Sequence, residues 1–167
     1  MQFNRLIFFV IFISCISLLG FGLYLEHFKG IEPCPLCIFQ RIAYIAIAII
    51  SLMAAIYLPG KKSFYLYATL LITSALSGAG IAGRQIWLQH LPADKVPECG
   101  PGLDYLLEVF PLTETLKMVF TGSGECAEVH WRFAGLSIAE WSMVCFILIF
   151  CGVIYNIFFY HKKRNII

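Results

Sequence analysis

The pattern of apolar and polar positions divides the chain into four long apolar runs, Leu6–Leu25, Cys37–Leu58, Phe64–Leu88 and Ser137–Tyr160. A helix needs about 20 predominantly apolar residues to cross roughly 30 Å of hydrocarbon, and each run is long enough. The first, LIFFVIFISCISLLGFGLYL, could pass for a secretion signal. It is longer than a usual signal core, has no clear small-residue cleavage site and precedes three further runs, so it reads as a retained helix. The polar connections fall at about 26–36, between the second and third runs, and at about 89–136. Within the longest of them, LDYLLEVF and LTETLKMVF are short amphipathic stretches divided by Pro111. They are expected to lie on the membrane surface. The pattern predicts an all-α integral membrane protein: a four-helix transmembrane bundle forming a single domain over residues 1–167, with a long outward loop that carries short surface helices.

Composition agrees with this. Of 167 residues, 60% are hydrophobic and 13% charged, with a mean hydropathy of +0.82; soluble domains are about one quarter charged. Charge placement then sets orientation. Arg5 precedes the first run, Lys61 and Lys62 lie between the second and third, and Lys162, Lys163 and Arg164 follow the fourth, with no acid in these three segments. All ten Asp and Glu lie in the other two connections or at their helix ends. Basic residues at helix ends mark the cytoplasmic side, so both termini are expected there and the loops at 26–36 and 89–136 outside. No basic stripe points to nucleic acid, and there is no internal repeat, phosphate-cradling glycine loop or serine–histidine hydrolase pattern.

Of seven cysteines, Cys15, Cys145 and Cys151 fall within apolar runs and read as small buried hydrophobes. Cys34, Cys37, Cys99 and Cys126 all lie in or beside the two outward loops. Outside a bacterial inner membrane, or in an organelle lumen, disulfides persist. Four cysteines allow three pairings, and sequence does not choose among them. Zinc fits poorly, because its ribbons use two close pairs and Cys99 and Cys126 are far apart. Two static disulfides are one reading; a redox-active pair exchanging with a second pair in the long loop is another.

The stretch EPCPLCIFQR, Glu32 to Arg41, favours exchange. Pro35 suits the first helical position, where a missing N–H is harmless. That makes Cys34 the cap and Cys37 the third helical residue. Both thiols then sit at the positive end of a helix dipole, where thiolate is favoured and the pKa is expected to fall. Thiolate is the attacking species in disulfide exchange. Arg41, four residues on, shares a helix face with Cys37 about 6 Å deeper. Snorkelling to the headgroups would explain it, but its register with Cys37 suits a guanidinium that stabilises a thiolate or binds a ligand's carbonyl oxygen. A dithiol passing electrons inward needs an acceptor soluble in lipid, and a quinone is one. Cys37, Arg41 and Gln40 would form its cradle.

Elsewhere, the third run contains SALSGAGIAGRQIW, whose small residues allow close helix approach or leave room for a flat ring. Arg84 and Trp87 fit interface anchoring. The fourth run opens with SIAEW: Ser137 and Glu140 fit a capping box and Trp141 the aromatic belt. Glycines 100, 102, 122 and 124 flank Cys99 and Cys126 and supply turns or hinges. No catalysis is assigned to His27, His90 or His130.

Over nearly its whole length the chain resembles the disulfide bond formation protein B family, DsbB, membrane quinone reductases that reoxidise a periplasmic thiol oxidase. The resemblance rests on four runs in the same orientation, CPLCIFQR opening the second, and SGECAEVHWRFAGLSIAEW leading into the fourth. It implies that Cys34 and Cys37 form the membrane-side disulfide, with Cys37 beside the quinone and able to bond with it transiently. It implies that Arg41 binds the quinone, ubiquinone or menaquinone. Cys99 would be attacked by the reduced partner, a thioredoxin-fold oxidase of the DsbA type, and Cys126 would resolve that mixed disulfide and then attack Cys34. Gln40 stands where other members carry an acid. The resemblance points to a multi-pass bacterial inner-membrane enzyme with its cysteine-bearing loops in the periplasm. A structural protein with two static disulfides and a reductase of the vitamin K epoxide reductase kind are the alternatives.

Overall fold

The computed structural model describes residues 2–31, 33–57, 60–92, 124–129 and 131–164. Cys99, His130 and the stretches expected to form surface helices lie outside the described residues. Among the described residues four helices are long and apolar enough to cross a membrane: α1 (Gln2–Lys29), α2 (Pro35–Ile56), α3 (Lys61–Gln89) and α5 (Ile138–Arg164). Among the described residues between the last two are a helical turn, α4 (Gly124–Ala127), and a minimal antiparallel hairpin of β1 (Arg132–Phe133) and β2 (Leu136–Ser137), with Arg132 opposite Ser137. α1 and α3 overrun their apolar runs at both ends, whereas α2 starts before its run and ends at Ile56, inside it; α1 continues a turn past Leu25, which makes Glu26 helical.

Packing follows chain order. α1 lies on α2, α2 on α3 and α3 on α5, whereas α1 and α5 touch sparsely, and α4 rests on α3 and α2. Phe8, Phe64, Leu71, Phe146 and Val153 are fully buried, while Phe9, Ile13, Ile45, Ile49, Ile147 and Leu148 present about half or more of their surface outward. A bundle apolar both inside and out suits lipid, where helices associate through van der Waals fit instead of water exclusion. Gly78 shows what that fit demands: a Cβ added there would stand 2.4 Å from two ring carbons of Phe146. The Phe146 ring stacks on Tyr44 with centroids 4.3 Å apart, and the Tyr44 hydroxyl reaches the Ser142 carbonyl and hydroxyl oxygens at 3.2 and 3.1 Å. At Gly78, close approach is the use of the small-residue run.

Side chains satisfy the far end of α2 and the start of α5. At the end of α2 remote from Cys34, Arg5 donates from Nε to the Ala55 carbonyl at 2.7 Å and from Nη2 to the Ile56 carbonyl at 3.1 Å. These are among the carbonyls that a helix end leaves without partners. At the start of α5 the expected capping box is formed: the Ser137 N–H donates to Glu140 Oε2 at 2.6 Å, and the Glu140 N–H to Ser137 Oγ at 3.3 Å. The hairpin turns on Ala134 (φ 51°) and Gly135 (φ 83°), the pair of left-handed residues that a type I′ connection requires. Trp141 ties it to α5 by donating from Nε1 to the Phe133 carbonyl at 3.0 Å.

Candidate functional site

The site is built on the first turn of α2. Cys34 is the N-cap in extended conformation (φ −66°, ψ 161°), Pro35 opens the helix, and the Cys37 N–H donates to Cys34 Sγ at 3.4 Å. This is the arrangement expected from PCPLC. It folds the two thiols back on each other, so that their sulfurs lie 2.9 Å apart. Cys34 is buried and Cys37 half-buried. α4 delivers a third thiol: Cys126 is fully buried in a cluster with Cys34, Leu36 and Leu88, and hydrogen-bonds the Cys34 side chain. The structure therefore brings together Cys34, Cys37 and Cys126, three of the four cysteines singled out in the sequence.

One expectation is reversed. A helix N-terminus is expected to lower the pKa of both thiols, but the Cys34 thiol is pushed up. The hydrogen bond with Cys126 is the main cause, followed by that with Cys37 and by burial. A cap position favours thiolate when the sulfur answers mainly to backbone N–H groups. Cys34 instead faces two other thiols in an apolar setting, and its neutral form is the one they stabilise.

Sequence reading passed over Gln85. It lies in the last turns of α3, 4% exposed, opposite Gln40 of α2, which is 5% exposed. Gln85 donates from Nε2 to Cys34 Sγ at 3.3 Å and to Cys37 Sγ at 3.2 Å. Its Oε1 accepts from Gln40 Nε2 at 2.6 Å and stands 3.7 Å from Cys37 Sγ. The signal was a second amide within an apolar run, hidden beside the more conspicuous Arg84. The Arg84 guanidinium itself stacks on Trp87, 4.2 Å from the ring centroid, which accords with an interface anchor.

Arg41 lies on the Cys37 face as its spacing required, but it has an unforeseen partner. Nη1 pairs with Glu26 Oε2 at 2.5 Å, and Nη2 donates to the Gly22 carbonyl at 3.3 Å, both on α1. The two side chains are 25% and 31% exposed. A cation at the edge of an apolar layer is costly when isolated, and a carboxylate plus a carbonyl satisfy part of its hydrogen-bonding capacity. Among the described residues Arg41 uses two of its five N–H groups in these contacts, leaving three for another acceptor.

These groups face a cavity of about 510 Å³. One wall is α1, through Leu18, Phe21, Gly22 and Leu25; the facing wall is α5, through Ile138, Trp141, Ser142 and Cys145. Both sets follow the i, i+3, i+4, i+7 spacing of a single helix face. Cys34, Cys37, Gln40, Arg41 and Tyr44 line it from α2, and Gln85 and Gln89 from α3. Trp131 and Phe133 of the hairpin segment close its rim, with the Trp131 ring 5.6 Å from Phe21. Thus Cys145, expected to be a plain buried hydrophobe, is a half-buried cavity residue; Cys15 is buried as expected, and Cys151 is exposed on the outer face of α5. His27 and His90 contact backbone carbonyls one turn back in their own helices, Leu23 and Ile86. Among the described residues no group of three His, Cys, Asp or Glu could hold a metal ion. The arrangement suits dithiol chemistry beside a pocket for a flat, largely apolar molecule with hydrogen-bond acceptors.

Comparison with known proteins accords with this. The family model described as disulfide bond formation protein DsbB matches residues 4–156. The disulfide bond formation protein B of Hahella chejuensis is 51% identical over 144 residues, 86% of this chain and 87% of its own. That of Aromatoleum aromaticum is 46% identical over 162 residues, covering 97% and 95% of the two chains. That of Acinetobacter baylyi is 52% identical over 130 residues, 77% and 76%.

Proposed function

The chain belongs to the disulfide bond formation protein B family, and on that premise we propose that it generates disulfides in a bacterial inner membrane. It reoxidises a periplasmic DsbA-like thiol oxidase and passes the electrons to ubiquinone or menaquinone. The observation that carries this reading is the position of Cys34. Its sulfur touches Cys37 on one side and Cys126 on the other, while Cys37 and Arg41 face the cavity. Cys34 is thus the sulfur at which two disulfides can exchange.

The steps balance. A thiolate of the reduced partner attacks Cys99, breaking a Cys99–Cys126 disulfide and releasing the Cys126 thiolate. The partner's second thiolate then displaces Cys99 from the mixed disulfide, so the partner leaves oxidised and Cys99 and Cys126 remain as a dithiol. The Cys126 sulfur attacks Cys34, so the Cys34–Cys37 bond breaks, a Cys34–Cys126 bond forms, and Cys37 departs with the electron pair. Cys99 then attacks Cys126, which restores the loop disulfide and leaves Cys34 and Cys37 as a dithiol. Exchange of this kind needs no external cofactor. The dithiol must then give up two electrons and two protons, and a bound quinone supplies the acceptor for both.

The residues present fit such a ring. The cavity volume lies within the usual range for small-molecule pockets, about 300–1,000 Å³, and its walls are mainly apolar. Arg41 retains N–H donors for a carbonyl oxygen, and Cys37 Sγ lies within reach of the same space. Arg41 orients the ring by hydrogen bonding, and Tyr44, stacked on Phe146, holds the floor. The basic residues at the ends of the spans support placing both termini in the cytoplasm, with the cysteine-bearing segments in the periplasm.

The test is stopped-flow absorbance of quinone-loaded protein mixed with a reduced thioredoxin-fold oxidase. Partner oxidation with equivalent loss of quinone absorbance, abolished in Cys37→Ala, is the expected result. A folded, disulfide-bonded protein that leaves both partner and quinone unchanged would refute the reading.

A further inference from the structure

Two glutamines buried where the first turns of α2 meet the last turns of α3 need a reason to be there. An amide within an apolar span is tolerated when it finds partners, and Gln40 and Gln85 find each other at 2.6 Å. Helix pairing alone would end there. Yet the NH2 group of Gln85 is turned away from Gln40 and directed at the two sulfurs, 3.3 Å from Cys34 and 3.2 Å from Cys37. The bond from Gln40 fixes which end of the Gln85 amide faces which way, because Oε1 is occupied by the Gln40 donor.

A donor placed between two sulfurs does not serve their two redox states equally. A sulfur of the reduced pair, above all one bearing negative charge, is a far better acceptor than a sulfur in a disulfide. We propose that Gln85, latched by Gln40, is a positioning residue that favours the reduced form of the Cys34–Cys37 pair and so raises its reduction potential. A more oxidising pair draws electrons from the loop cysteines more completely. The inference rests on the proposed function, in that Cys34 and Cys37 must be an exchanging pair.

The experiment titrates full-length protein in lipid nanodiscs, anaerobically and without added quinone, against glutathione and dithiothreitol couples. Differential alkylation read by mass spectrometry scores Cys34 and Cys37 separately from the other cysteines. Gln85→Leu is expected to disfavour the reduced pair about tenfold, which for a two-electron couple lowers the potential by about 30 mV. Gln85→Met keeps the length and removes the donor without adding an ionisable group, so its potential falls about as far; it also carries the test should the leucine variant fail to fold. Gln40→Leu leaves the amide unlatched and produces a smaller fall in the same direction. A role in packing alone would leave the potential in place, and Gln85→Met titrating with the parent, or moving to higher potential, overturns the proposal. A parent pair that refuses to exchange with either couple overturns the proposed function itself, and this inference with it.

Discussion

Gly78→Ala tests the packing that supports the cavity. In most helices this change is favourable, because alanine is the better helix former by about 1 kcal/mol. Here the new methyl would lie 2.4 Å from two carbons of the Phe146 ring and 2.8 Å from a third. The ring must retreat by about 1 Å to reach ordinary contact at 3.4 Å. It has little room to do so, since Tyr44 stacks on it at 4.3 Å and is tethered by its hydroxyl to Ser142. Overpacking of a filled core costs about 1–3 kcal/mol, and the blocked retreat argues for the upper half of that range. After the propensity gain, a net loss of about 1–2 kcal/mol is expected. Unfolding in detergent micelles measures it, and a quinone titration on the same samples should show weaker binding, because Tyr44 lines the cavity. Phe146→Leu removes the obstructing ring edge. In that background Gly78→Ala should be neutral or stabilising, a coupling of at least about 1 kcal/mol between neighbours. If Gly78→Ala is as stable as the parent while Phe146 is intact, the reasoning is wrong.

Three further outcomes follow from the site. Arg41→Ala should weaken quinone binding about tenfold or more, the loss of one charge-assisted hydrogen bond of about 1.5–3 kcal/mol; Glu26→Gln, which frees the guanidinium to wander, should weaken it less, and fluorescence titration ranks the two. In reduced protein, Cys34 should alkylate slowly even above the free-thiol range near pH 8.5, because its pKa is raised chiefly by Cys126. Cys126→Ala should therefore shift the pH profile of Cys34 alkylation downward, and a profile unmoved would deny the contact its role. Arg5→Ala removes the donors on Ala55 and Ile56 and should cost about 1–2 kcal/mol of stability, read as an earlier unfolding transition with quinone affinity unchanged.

What the sequence made legible is what is local. Four spans follow from hydropathy, the Cys34 cap and Pro35 from the preferences of a helix's first turn, and the Ser137–Glu140 box from their spacing of three. Arg41 sharing a face with Cys37 follows from 3.6 residues per turn. What stayed hidden depends on register between helices. Glu26 is an ordinary acid near a helix end until α1 is laid on α2, fifteen residues away along the chain. Gln85 acquires its meaning only when α3 brings it to two sulfurs some fifty residues earlier. The raised pKa of Cys34 depends on Cys126, from the far side of the long loop, and no local rule carries that information.

The sparse contact between α1 and α5 has a consequence for how binding should be measured. The cavity fills the seam where those two helices stand apart, and its walls are the same kind of surface that the bundle presents to acyl chains. A hydrophobic ligand would meet this site from within the bilayer, so its effective concentration is its mole fraction among lipids. Occupancy at fixed aqueous dose should then fall as vesicles or micelles are added, and affinities from different detergents will agree only after partitioning is taken into account.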